Sequence, residues 1–170
     1  KFHHSIEEML VSPLPNYIIL LGFVSGGLAR GIIVGIIATV VSLFFSDLHI
    51  HSYSVTFSVF ILTSILFALA GFINAAYARS FDDITIIPTF VLTPLIYLGG
   101  VFYSIKMLPE FWQNISLINP ILYMINAFHY GILGVSDIEV STAFMIIIGF
   151  IIVLFYFALR LLKLGTGLKP

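Results

Sequence analysis

Residues Val140–Leu159 read VSTAFMIIIGFIIVLFYFAL, an apolar run without a charge, closed by Arg160 and Lys163. A bilayer core about 30 Å thick is crossed by roughly 20 residues of helix, so this run has the length and polarity of one membrane span. No water is available inside the core. The backbone N–H and C=O groups must therefore bond within the segment, which makes it a helix.

Three further runs precede it. Tyr17–Phe45 opens after Pro13-Leu14-Pro15-Asn16, is longer than a bilayer requires and contains Arg30. Its simplest reading sets the true span nearer Gly26–Phe45, with Arg30 snorkelling to the headgroups or facing protein. Val55–Tyr77 is the second run, broken by Ala78-Arg79-Ser80-Phe81-Asp82-Asp83. Ile84–Tyr103 is the third, with Pro88 near its start, Pro94 inside it and Gly99-Gly100 near its end. The expected fold is an all-α integral membrane protein with about four spans, over 17–45, 55–77, 84–103 and 140–159.

Composition agrees. Apolar residues make up 60% of the 170 and charged residues 9%, with mean hydropathy +1.14. Seven basic and eight acidic side chains cannot clothe a soluble domain of this size, which ordinarily carries about a quarter charged residues. A net charge of −1 gives no argument for nucleic acid. The absence of cysteine removes thiolate chemistry and cysteine metal sites. The chain opens at Lys1 without an initiator Met and without a signal-peptide core, and reads as a fragment.

Residues 104–138 are too apolar for a solvated loop. Pro109 and Asn119-Pro120 divide them, and a proline fits the first turn of a helix, where its missing N–H costs nothing. Two short helices are expected, near 109–117 and 120–133, each too short to span. The segment reads as re-entrant or interfacial, with Tyr103, Trp112 and Tyr123 suited to a membrane boundary. Four spans put both ends on one side, together with Lys1, Arg79, Arg160, Lys163 and Lys169, whereas Lys106 falls opposite. By the positive-inside rule both termini are cytoplasmic.

Gly22 and Gly26, then Gly27, Gly31 and Gly35, recur at intervals of four and make a smooth face for close helix packing, within the chain or between copies. The histidines His3-His4, His49-x-His51 and His129 are split between the two sides and read as polar loop residues, not metal ligands. Neither G-x-S-x-G nor H-E-x-x-H occurs, and no G-x-x-x-x-G-K-[ST] loop exists to bind ATP. Asp82-Asp83 suits a helix start. Acids are absent from the spans, which counts against an ion relay and leaves a partner as the energy source. Ser5 and Glu8 fit a capping box, with Ile6, Met9 and Leu10 at helical spacing. That short helix suits either a groove on a soluble partner or the lipid surface.

Three stretches resemble the ABC-2 type permeases, membrane subunits of ATP-driven bacterial exporters. They are Glu7-Glu8-Met9-Leu10-Val11-Ser12-Pro13, similar to an E-x-L-x-x-(S/T)-P segment; Thr93-Pro94-Leu95-Ile96-Tyr97-Leu98-Gly99-Gly100-Val101-Phe102-Tyr103 with Leu108-Pro109; and Ile118-Asn119-Pro120-Ile121-Leu122-Tyr123 running into Asn126–Gly131. The match is most like the subgroup holding the Nod-factor exporter permeases. The resemblance implies an ABC-2 type (type V exporter-like) transmembrane domain, with these spans the last four of six in an inner-membrane subunit. It implies that residues 5–12 are a coupling helix, with Ser5, Ile6, Glu7, Glu8, Met9 and Leu10 at the ATPase interface. It further implies two ATP-binding subunits holding ATP and Mg, a second permease copy, no cofactor on this chain, and 104–138 as an extracytoplasmic cap. Tyr97, Phe102, Tyr103 and His129 are the candidate exit-gate residues, and His129 stands where many members carry arginine. A non-transporting oligomeric scaffold is the alternative.

Overall fold

A computed structural model describes residues 15–45, 49–78, 84–86 and 88–164. The expected helix over 5–12, the pair Asp82-Asp83 and the charges at Lys1, Arg79 and Lys169 lie outside them. Among the described residues every regular element is helical. Helices α1 (Asn16–Leu43), α2 (Tyr53–Tyr77) and α6 (Val140–Leu164) are long and apolar enough to cross a membrane. Between α2 and α6 lie α3 (Thr93–Leu98), α4 (Glu110–Ser116) and α5 (Pro120–Leu133). Ser52 starts α2 by accepting the Val55 N–H on its hydroxyl, and Thr39 in α1 donates its hydroxyl to the Gly35 carbonyl. Both of these side chains thus find a backbone partner in their own helix without water.

Helix α2 is the hub, packed against α1, α5 and α6. Two buried clusters sit at opposite ends of it. One joins Val59 and Leu66 to Leu122, Ala127, Ala143 and Ile147 of α5 and α6. The other joins Leu69 and Phe72 to Leu20 and Val24 of α1 and Ala158 and Leu162 of α6. Outward faces stay apolar, as at Ile33, Ile37, Val40, Ile152 and Val153, all exposed. That pattern suits a lipid surrounding.

The glycine face divides in the structure. A Cβ at Gly27 would meet that of Ala68 at 2.5 Å, one at Gly31 would meet the Ser64 hydroxyl at 2.7 Å, and Gly35 lies under the Phe60 ring. These three let the α1 and α2 backbones close together. Gly22 and Gly26 meet nothing within 4 Å. Gly27→Val is expected to lower stability by about 1–3 kcal/mol through overpacking, with little helix propensity gained in return. Ala68→Gly should recover at least half of that loss in the double variant, read as thermal unfolding in detergent.

Each four-residue step along α1 is matched by four residues back along α2, so the helices run antiparallel in a fixed register. Carried one residue from the Gly31–Ser64 pair, that register sets Arg30 level with Ile65, the midpoint of Tyr53–Tyr77. The expected span Gly26–Phe45 put Arg30 within about one turn of a membrane edge. The helix starts at Asn16, next to the expected start at Tyr17, and Arg30 lies at its mid-length.

The run expected to span 84–103 also differs. Its helical part, Ile84–Leu98, is shorter than the long spans, with a π-helical turn over Pro88–Leu92 leading into α3. Pro94 has no N–H to give the preceding turn and its ring crowds the carbonyl four residues back, so a widened turn there is the local solution. The helix stops because Gly100 takes φ +77°, a left-handed conformation that turns the chain aside.

Candidate functional site

The short helices expected near 109–117 and 120–133 are present as α4 and α5, and they gather at one end of the bundle with the 99–108 turn and the 134–139 loop. Asn119 sets the start of α5. Its side-chain oxygen accepts the Ile121 N–H at 3.0 Å, while its amide donates to the Leu95 carbonyl of α3 at 2.6 Å. Pro120 follows at the first turn. At the other end Gly134, φ +74°, closes α5 in a left-handed cap and donates to the Tyr130 carbonyl at 2.9 Å.

Two α5 carbonyls find donors far away in the chain. Gly131 C=O accepts from Ser52 N at 2.8 Å and Ile132 C=O from His51 N at 3.2 Å. The entry to α2 therefore caps the exit of α5. His51 also sets its ring edge against Tyr130, with centroids 5.5 Å apart. Gly131 is buried so tightly that a Cβ there would lie 3.0 Å from the Thr56 backbone nitrogen.

A second polar knot holds the 134–139 loop. Asn126 of α5, 4% exposed, accepts from Asp137 N at 2.9 Å and from the Ser136 hydroxyl at 3.3 Å, and donates to the Leu122 carbonyl at 3.0 Å. The Asp137 carboxylate accepts from the Ser104 hydroxyl at 2.6 Å and from Ile105 N at 3.2 Å. Lys106 lies 3.7 Å from the other oxygen, but its exposure leaves that pair worth no more than about 1 kcal/mol. The hydrogen bonds, not the ion pair, hold the loop.

A cavity of about 300 Å³ opens beside this knot, lined among others by Phe102, Tyr103, Asn126, His129 and Asp137. Tyr97 stands next to it: its ring lies 6.0 Å from that of Phe102, and its carbonyl accepts the Tyr103 hydroxyl at 2.6 Å. The four residues singled out as gate candidates, scattered over 97–129, thus share one neighbourhood. Asn126, Ser104 and Asp137 complete it, and the pairing of Ser104 with Asp137 across more than thirty residues left no local signal in the sequence. Such a recess can bind or obstruct. Among the described residues no three His, Asp or Glu side chains are grouped to hold a metal.

The family signature matches this architecture: a sequence model of the ABC-2 type transporter matches residues 1–133. The chain belongs to the ABC-2 type transporter family. Within it, the chain is 48% identical to the inner membrane transport permease YadH of Escherichia coli K12, over 99% of this chain and 66% of the relative. It is 24% identical to nodulation protein J of Rhizobium leguminosarum bv. viciae, over 92% of this chain and 61% of the relative, and 25% identical to that of Neorhizobium galegae, over 95% and 62%. This ABC-2 domain spans a little under two thirds of the length of those relatives. No solved structure matches it.

Proposed function

We propose that this domain is the membrane part of an inner-membrane permease that exports its cargo, driven by a separate ATP-binding subunit. The observation that carries the reading is the family match, which takes in Glu7-Glu8, α1, α2 and the α4–α5 cap together. YadH, by its name an inner membrane transport permease, supports the location and the activity. Two permeases and two ATPases would assemble, with the path between the permeases. ATP and Mg would sit on the partners, and residues 5–12 would transmit their closure to α1.

The charge distribution supports termini on the cytoplasmic side, so the α4–α5 end faces outward and the cavity at Tyr103 and His129 lies at the exit. Tyr97, Phe102 and Tyr103 would narrow that exit, and the polar knot around Asp137 would hold it in shape. Chemically the domain makes and breaks no bonds.

The test is charge reversal at the coupling helix. In the full-length permease, Glu7→Lys with Glu8→Lys is expected to reduce co-purification of the ATPase about ten-fold, an interaction of about 1.4 kcal/mol, with permease abundance unchanged. Full assembly and undiminished transport in that variant would remove residues 5–12 from the interface. An ATPase that never co-purifies with the unaltered permease would return the scaffold reading.

A further inference from the structure

Arg30 is exposed, and no hydrogen bond or ion pair engages it among the described residues. The register with α2 sets it at the middle of the bundle. Half the bilayer core is about 15 Å, and an extended arginine side chain covers only about half of that, so headgroups at either surface are out of reach. A guanidinium cannot be deprotonated here, and leaving it in hydrocarbon is costly. Its surroundings must be water, an anion or both.

The long helices described here offer no carboxylate for the purpose. Aspartate and glutamate are absent from α1, α2, α6 and Ile84–Leu98, so the same helices of a second copy have none to give. The described acids, Glu110, Asp137 and Glu139, lie in the 104–139 segment. One and two turns before Arg30, Gly26 and Gly22 leave open space where side chains would stand. The result is a shallow, side-chain-free groove leading along α1 to a fixed positive charge.

The geometry points to Arg30 as an anion-binding residue on the wall of the translocation path, taking a phosphate or carboxylate group of an amphiphilic cargo at mid-membrane. The planar guanidinium suits bidentate contact with such a group, and the bare backbone at Gly26 lets it approach. This inference rests on the transport reading.

The experiment uses the full-length permease with its ATPase in membrane vesicles, in a cysteine-free background. Gly26→Cys reports on the groove, since its side chain meets open space, and Ala29→Cys reports on another exposed flank of α1 at nearly the same depth. A cationic, membrane-impermeant methanethiosulfonate reacts with a thiolate only where water reaches it. Gly26→Cys is expected to label about ten-fold faster than Ala29→Cys. Dodecyl phosphate is expected to slow that labelling about ten-fold, and neutral dodecyl maltoside not at all. Arg30→Gln should abolish the protection, and Arg30→Lys should keep part of it. Equal labelling of the two cysteines would overturn the aqueous groove and, with it, a path along this face. Fast labelling that both amphiphiles or neither suppress, or that dodecyl phosphate still suppresses in Arg30→Gln, would overturn the anion role and leave transport standing. Should Arg30→Gln fail to accumulate, the comparison of the two amphiphiles on the arginine protein decides.

Discussion

Gly131→Val is expected to abolish the stable fold of the domain, seen as loss of the monodisperse peak after detergent extraction. Even the first added carbon would overlap the Thr56 hydroxyl and lie 3.0 Å from the Thr56 nitrogen and 3.1 Å from its Cα. A side chain can rotate away, but the backbone of α2 cannot. Overpacking of this kind costs about 1–3 kcal/mol where neighbours can relax, and here the relaxation itself is costly. Moving α5 off α2 would also break the bonds from Ser52 N and His51 N, stranding the last carbonyls of α5. Gly131→Ala should show the same direction with a smaller loss. Thr56→Ala should rescue Gly131→Ala only in part, because the backbone contact persists. Full rescue would mean that the hydroxyl alone sets the spacing.

Asn126→Leu is expected to be the second most damaging change. The substitution keeps the volume and removes the acceptor of Asp137 N, whereas the Ser136 hydroxyl keeps the Ile138 carbonyl at 2.6 Å. A donor stranded away from water costs about 1–3 kcal/mol. The 134–139 loop should then lose its hold on Asn126 while Asp137 still bonds Ser104, so the loop frays at one edge. Hydrogen exchange should show faster exchange at Asp137 N and at Ile138 N, which bonds the Ser136 hydroxyl. Asp137→Asn should be milder, because its side-chain oxygen can still accept from Ser104. Unchanged exchange at residue 137 in Asn126→Leu would show that the knot does not restrain the loop.

Local physics made much of this legible in the sequence. The apolar runs at α1, α2 and α6 needed only length and hydropathy. Pro109 and Asn119-Pro120 marked the two short helices because proline and an amide cap act on their own turn. Three features escaped. Helix α3 stops at Leu98 because the chain reverses through a left-handed Gly100, and the sequence of the run alone reads straight on to Tyr103. Of the glycines, those at 27, 31 and 35 face α2, whereas 22 and 26 do not; a period of four cannot say which neighbour a stripe meets. Asp137 carries no local signal, since its donors at Ser104 and Ile105 arrive only once the end of the bundle is assembled.

The cap that residues 51–52 place on α5 also bears on biogenesis. At fourteen residues α5 is too short to leave the insertion machinery as an independent span, and its last carbonyls are completed by chain synthesised long before it. It cannot settle in lipid first and find its neighbour later. Helix α2 has to be in place and waiting when α5 emerges, so this end of the bundle is assembled by late docking onto an early template.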